Sequence, residues 1–224
     1  MCIRDSLKRM GRRVEVCHLG VEWLVDKSRT VVDIYDGQKV RAFGLSLYWH
    51  YQSYDAIEVA RALKAAHPEA FVFLGGVTAS YFADQILTEH AFIDAVVLGH
   101  GEGPTWLMLQ PLAEGGDLGA IPNLMLRTPD GPRSTRGARW PVMPPPLSEL
   151  VYGDLSVMRH PEVYAKSFGF PLAYGREYSA AENRSMLSMG RAFFPLMTGR
   201  GCPWKCTFCG CLLYTSDAAD DLHR

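Results

Sequence analysis

Three cysteines stand close together in the run Gly201-Cys202-Pro203-Trp204-Lys205-Cys206-Thr207-Phe208-Cys209-Gly210, with the spacing C-x3-C-x2-C. Soft thiolate donors select iron–sulfur clusters or zinc over hard cations. Structural zinc takes four protein ligands, often as two separated C-x2-C pairs. Here there is one such pair plus one cysteine, and no histidine nearby. An odd count this tightly spaced does not make a disulfide framework. Three thiolates on one loop can hold three corners of a [4Fe–4S] cube and leave the fourth iron open. Pro203 and the flanking glycines make the loop accessible, so donor type and count favour iron–sulfur over zinc.

The two ends of the chain bear on which residues count. Residues 211–216 can be encoded TGT CTC TTA TAC ACA TCT, and the reverse complement of that string contains ATG TGT ATA AGA GAC, which encodes Met1-Cys2-Ile3-Arg4-Asp5. One DNA element on opposite strands at the two ends resembles a translated sequencing adaptor. The expectation is that residues 1–6 and 211–224 are not native, and such segments are set aside from fold reasoning. Cys2 and Cys211 then drop out, and Cys211 is no fourth ligand. The ends carry two arginines and four aspartates, so the formal charge moves from −1 to +1. So neutral a balance argues against a nucleic-acid or membrane-surface role driven by bulk charge.

A 224-residue chain that is 48% apolar suits one to two globular domains. No apolar run reaches the roughly 18–20 residues of a membrane helix, and unpaired thiols fit a reducing cytoplasm.

The elements that must position any chemistry follow from periodicity. Residues 14–19 read as a strand. Continuous apolar runs over 42–47, 71–74 and 95–98 fit parallel strands covered on both faces. Ser53 caps a helix over 54–66, in which Ile57, Ala60, Leu63 and Ala66 share a face before Pro68. A second helix covers about 79–90, with Phe82, Ile86 and Leu87 inward. A third starts near Pro104 and is shortened or kinked by Pro111. Residues 123–127 read as a last edge strand. This alternation predicts a doubly wound α/β sheet. Beyond it, Pro141-Val142-Met143-Pro144-Pro145-Pro146 is a stiff connector. The tract with Tyr152, Tyr164, Phe168, Phe170, Tyr174 and Tyr178 is too aromatic for a disordered linker. Residues 193–198 read as a strand leading into the cysteine loop.

Each of the three apolar strands ends in a small-residue turn: Gly44-Leu45-Ser46-Leu47, Leu74-Gly75-Gly76-Val77-Thr78-Ala79-Ser80, and Gly99-His100-Gly101-Glu102-Gly103. Ligands of open α/β sheets bind outside the carboxyl ends of the strands, where these loops lie. Glycines let backbone approach a bulky ligand, and Thr78 and Ser80 offer hydroxyls suited to phosphate. Equally, the glycines can simply make tight turns.

Two resemblances bear on these segments. Gly44–Leu47, with Ser46, and Gly75–Ser80, with Gly76 and Thr78, resemble the Ser-x-Leu and Gly-Gly-x-Thr-x-Ser segments of cobalamin-binding domains. Gly99 and Gly101 sit in a turn similar to that of B12-binding radical SAM proteins. Cys202, Cys206 and Cys209, with Phe208 in the aromatic place and Thr198-Gly199-Arg200-Gly201 before them, resemble the radical SAM signature. Together the chain looks like the N-terminal part of a B12-binding radical SAM enzyme. That likeness implies a flavodoxin-like or Rossmann-like cobalamin-binding domain over 7–128, a linker over 129–192, and the start of a partial (β/α) barrel over 193–210. It also implies that the family's first, central strand is cut off, and with it the loop that carries the Asp-x-His-x-x-Gly motif. His18, His50 and His100 do not fit that motif and read as edge or packed histidines.

The resemblance further implies three cofactors: cobalamin, a [4Fe–4S] cluster and S-adenosylmethionine. Cys202, Cys206 and Cys209 would ligate iron, and Phe208 would pack near the adenine. Ser46, Gly75, Gly76, Thr78, Ser80, Gly99 and Gly101 would surround cobalamin. The open iron chelates S-adenosylmethionine, whose reductive cleavage gives a radical that abstracts hydrogen from substrate. Methyl transfer to an unactivated carbon is the first expectation for the parent enzyme. Another use of cobalamin, or a non-enzymatic binding module with a structural or electron-transfer cluster, stays open. Lys205 and Arg200 read as solvated, and Trp204 as a loop anchor. The implied partners are a small-molecule substrate and a reductant such as flavodoxin or ferredoxin, with no nucleic acid and no membrane. The chain as written is expected to be inactive alone, and unlikely to fold stably if the central strand is lost.

Overall fold

The computed structural model describes residues 13–135 and 158–167. They fall into two compact units, divided after Ile34: residues 13–34 with 158–167, and residues 35–135.

In the first unit the expected strand over 14–19 is reduced to a single parallel bridge between Val16 and Met158. Helix α1 (Leu19–Val25) starts instead, because His18 caps it. Its Nδ1 accepts the Val21 amide at 3.3 Å, and its carbonyl accepts the Val21 and Glu22 amides at 2.8 and 3.0 Å. Burial pushes the His18 imidazole below its ordinary range, which keeps Nδ1 free to accept. A small core of Val21, Met158 and Tyr164 forms against helix α7 (Pro161–Ser167). The nearly buried Glu22 carboxylate is paired with Arg159 Nε at 2.7 Å, and Arg159 also reaches Glu15 at 3.3 Å. Helix α2 (Val31–Tyr35) ends at the division between the units.

The second unit is an α/β sheet. Strands β1 (Ala42–Ser46), β2 (Phe71–Gly75) and β3 (Ala95–Val97) are parallel neighbours, and β4 (Leu124–Thr128) and β5 (Gly131–Ser134) continue the sheet antiparallel in the order 1-2-3-4-5. Helix α3 (Ser53–Ala66) links β1 to β2, and α4 (Val77–Tyr81) with α5 (Ala83–Glu89) links β2 to β3. Crossovers between parallel strands are right-handed, so these helices share one face of the sheet. Helix α6 (Glu102–Glu114) covers the other face. There Met108 and Ile121 pack with Ala95, Val97, Leu124 and Leu126, flanked by Phe71 and Phe73. Val72, Leu74 and Val96 are fully buried, as the unbroken apolar runs predict for strands covered on both sides.

Several local expectations change. Helix α3 begins at Ser53 rather than after it. Gln52 occupies the cap without a side-chain bond, and Ser53 Oγ donates to the His50 carbonyl at 2.6 Å. Ala60 and Leu63 are buried as expected, but Ala66 at the last turn is exposed. Phe82 is not inward: it sits at the break between α4 and α5 and is 43% exposed, while Ile86 and Leu87 are buried. Pro111 does not stop α6, which runs three residues further to Gly115 in the left-handed conformation. The strand over 123–127 is not the edge, because β5 pairs outside it in a hairpin. That hairpin was hidden from periodicity by Pro132 and Gly131, residues that fit an edge strand better than a central one.

Candidate functional site

The carboxyl ends of the three parallel strands come into one row: Ser46 is in register with Gly75, and Gly75 with Val97. The loops beyond them are tied together by hydrogen bonds. The Leu47 amide donates to the Gly75 carbonyl at 2.7 Å, and the Ala79 amide donates to the Leu47 carbonyl at 3.2 Å. Thr78 Oγ1 donates to the Tyr48 carbonyl at 2.9 Å. Ser80 Oγ donates to the Gly76 carbonyl at 2.9 Å and accepts the Gly99 amide at 3.0 Å. The two hydroxyls thus staple the first loop to the second and the second to the third. Their protons are held by the protein, a role that the spacing in the sequence does not reveal.

Gly76 has φ +110°, and a Cβ there would lie 2.7 Å from the Leu47 carbonyl oxygen. Only glycine fits both conditions. Gly44 is not part of a turn. It lies in β1, where a Cβ would meet the Phe73 ring at 2.4 Å. Gly75 differs from both: a Cβ there meets only Val97, at 3.9 Å, so the space beside it is open. The neighbouring Ser46 side chain is exposed on the same edge. Gly99 has φ +71°, and Gly101 caps α6 with ordinary φ.

The histidines are spread apart. His18 caps α1, His50 is exposed in the 3-10 turn after β1, and His100 is partly buried in the third loop. Among the described residues no group of three or more His, Cys, Asp or Glu is placed to hold a metal ion. No helix among them is long and apolar enough to cross a membrane. Cys202, Cys206, Cys209 and Phe208 lie outside the described residues.

One feature of the edge escaped the sequence reading. Tyr48, Trp49, Tyr51 and Tyr54 after β1, with Tyr81 and Phe82 after α4, are all exposed, from 43% at Phe82 to 77% at Tyr54. Of the six, Phe82 lines a cavity of about 160 Å³ between α3 and α5, together with Leu47, Ile57, Thr78, Ile86 and, further along α5, Glu89. The available signal was the run from Leu47 to Tyr54, which holds four aromatic rings and no charged side chain.

Residues 1–105 match the family model of the B12 binding domain, a span that holds all three loops from Ser46 to Gly101. Over 92% of its length the chain is 26% identical to the hopanoid C-3 methylase of Methylococcus capsulatus. Over 70% of its length it is 29% identical to an uncharacterized methyltransferase of Pyrococcus horikoshii. The chain spans 34% and 28% of these two relatives, about a third of their length. Among solved structures it is similar to TsrM, a radical S-adenosylmethionine methyltransferase from Kitasatospora setae, in two states. One has tryptophan substrate and a SAM analogue bound, with TM-score 0.53 and 20% identity over 64% of this chain and 27% of that one. The other has cobalamin and a [4Fe–4S] cluster bound, with the same score and identity over 60% and 27%. At that identity the likeness establishes the fold, in keeping with the α/β domain that the resemblance to cobalamin-binding domains implies.

Proposed function

We propose that the carboxyl edge of β1, β2 and β3 binds cobalamin, and that the protein is a cobalamin-dependent radical SAM enzyme that transfers a methyl group to an unactivated carbon. The observation that carries this reading is the stapled edge itself. Thr78 and Ser80 fix three loops in one place, while Gly75 has open space beside it and Ser46 is exposed. That edge lies within the residues matching the B12-binding family. Ser46, Gly75 and Gly76 would line the approach. Thr78 and Ser80 would hold the loops in place, and Gly99 and Gly101 would close the far side. Bound cobalamin supplies a cobalt centre able to carry one methyl group, while the protein positions it.

Cys202, Cys206 and Cys209 are proposed to hold three irons of a [4Fe–4S] cluster, and Phe208 to lie beside the adenine of S-adenosylmethionine. Support comes from the donor set: three soft thiolates in eight residues suit iron–sulfur and leave one iron for a non-protein ligand. A small-molecule substrate and a flavodoxin- or ferredoxin-like reductant complete the proposal. Its methyl-transfer part is supported by the two methylating relatives.

Anaerobic reconstitution of the chain with iron and sulfide tests the metal half. The expected result is about four irons per chain, with loss of the cluster's visible absorption in Cys206→Ala. Full retention of iron and absorption by that variant would refute the ligand assignment.

A further inference from the structure

Exposed apolar surface concentrated in one patch marks a binding site, whereas single exposed rings need no explanation. Among the described residues nine large apolar side chains are exposed, and six of them flank the carboxyl edge of the sheet. The backbone beneath them is fixed. Tyr48 is held through its carbonyl by Thr78, and Leu47 is buried and bonded to Gly75 and Ala79. The rings also order one another. Tyr48 meets Trp49 edge-on at 5.1 Å, and the planes of Trp49 and Tyr51 lie within 10° of parallel, with centroids 6.4 Å apart. At the end of α4, Tyr81 and Phe82 meet at 4.8 Å. Loop and helix are adjacent, since Leu47, Thr78 and Phe82 line the same cavity.

The chemistry of the patch selects its occupant. From Ser46 to Tyr54 there is no Asp, Glu, Lys or Arg, so apart from His50 the segment offers no charge to an ionic partner. What it offers is ring faces, with polar atoms at their margins: tyrosine hydroxyls, the indole N–H and the Gln52 amide. A corrin has the complementary form, a broad, methyl-studded face with a rim of neutral carboxamides. We propose that Tyr48, Trp49 and Tyr51 form an aromatic platform that receives one face of the corrin ring, with Thr78 as the residue that positions it. This inference rests on the cobalamin reading above and adds to it the residues that recognise the macrocycle.

The test uses the full chain and two probes, aquacobalamin and cobinamide, the latter being the corrin without its nucleotide. Binding is read from the visible corrin bands, and folding from the thermal midpoint. Tyr48→Ala combined with Trp49→Ala should weaken both probes by roughly tenfold or more, and Trp49→Phe should stay within about threefold of the parent. The melting midpoint should move little in all variants, because the rings are exposed. Unchanged affinity in the double variant overturns the platform. So does a loss confined to aquacobalamin, which would place the rings against the nucleotide instead. A parent chain that self-associates, with the double variant monomeric and fully competent to bind, would give the patch to a second copy and likewise overturn it. Failure of the parent chain to bind either probe would remove the cobalamin reading itself, an outcome distinct from all of these.

Discussion

At the amino edge of the parallel strands, Asp94 Oδ2 accepts from Lys64 Nζ at 2.9 Å and from the Val72 amide at 2.7 Å, and Arg127 Nε donates to the Ile93 carbonyl at 2.9 Å. At the carboxyl edge the corresponding ties are made by two hydroxyls, Thr78 and Ser80, and by the close approach of Gly76 to Leu47. Both edges are well satisfied in hydrogen bonds, yet they leave different surfaces. Long charged side chains fill the amino edge and close it. Short side chains hold the carboxyl edge from within: Gly75 has open space beside it and Ser46 is exposed, while six exposed aromatic rings lie in the segment after β1 and at the end of α4. An edge built to be rigid with the smallest possible groups keeps its space for something else. One sheet thus has an edge closed by charged side chains and an edge held by small groups, the latter being the one proposed to bind.

The largest expected effect tests the tightest contact of the binding edge. Gly76→Ala places a Cβ 2.7 Å from the Leu47 carbonyl at φ +110°, and should cost about 2–4 kcal/mol in urea denaturation. Next, Asp94→Ala removes the partner of Lys64 and leaves the Val72 amide without its acceptor. It should cost about 1–3 kcal/mol while leaving cobalamin affinity unchanged. If it weakened cobalamin as much as stability, the division of labour between the edges would fail. Thr78→Val deletes one hydrogen bond under the aromatic loop, at about 0.5–1.5 kcal/mol, and should weaken cobalamin more than Thr78→Ser, which keeps the donor.

The smallest effect lies in the first unit and serves as a reference for both edges. His18 is held below its ordinary pKa by burial, so the unfolded chain takes up a proton that the folded chain resists. Stability from this group is complete above the ordinary value of about 6.5. It is lost as pH falls through the lowered folded value. Hydrogen exchange at the Val21 amide, corrected for intrinsic rate, should quicken on acidification before that at Val72 does. Simultaneous loss of protection at both amides would contradict the assignment to His18.

Much of the second unit was legible because its strands are continuous apolar runs bounded by glycine turns. The runs over 42–47, 71–74 and 95–98 gave three strands within a residue of their observed ends. The failures have local causes. At His18 a side-chain cap outcompeted a β-prone run, and Val14 to Leu19 became a bridge and a helix start. Phe82 looked inward by helical spacing, but the break between α4 and α5 resets the phase at that residue. Thr78 and Ser80 were recognisable as important by type and position, whereas the groups they tie, the Tyr48 carbonyl and the Gly99 amide, lie on other loops, which sequence does not display. The aromatic platform was missed because Tyr and Trp after a strand look like core until their exposure is known.

The central claim is that the carboxyl edge, and not the amino edge, holds cobalamin. Equilibrium dialysis of aquacobalamin against the full chain, Gly75→Val and Asp94→Ala tests it most directly. Gly75 has open space where a valine would project, so the fold should tolerate the change while the ligand's room is lost. The account predicts one cobalamin per chain for the parent and Asp94→Ala, with affinity lowered roughly tenfold or more in Gly75→Val. Equal affinity in the parent and Gly75→Val, or a loss seen only in Asp94→Ala, would contradict it.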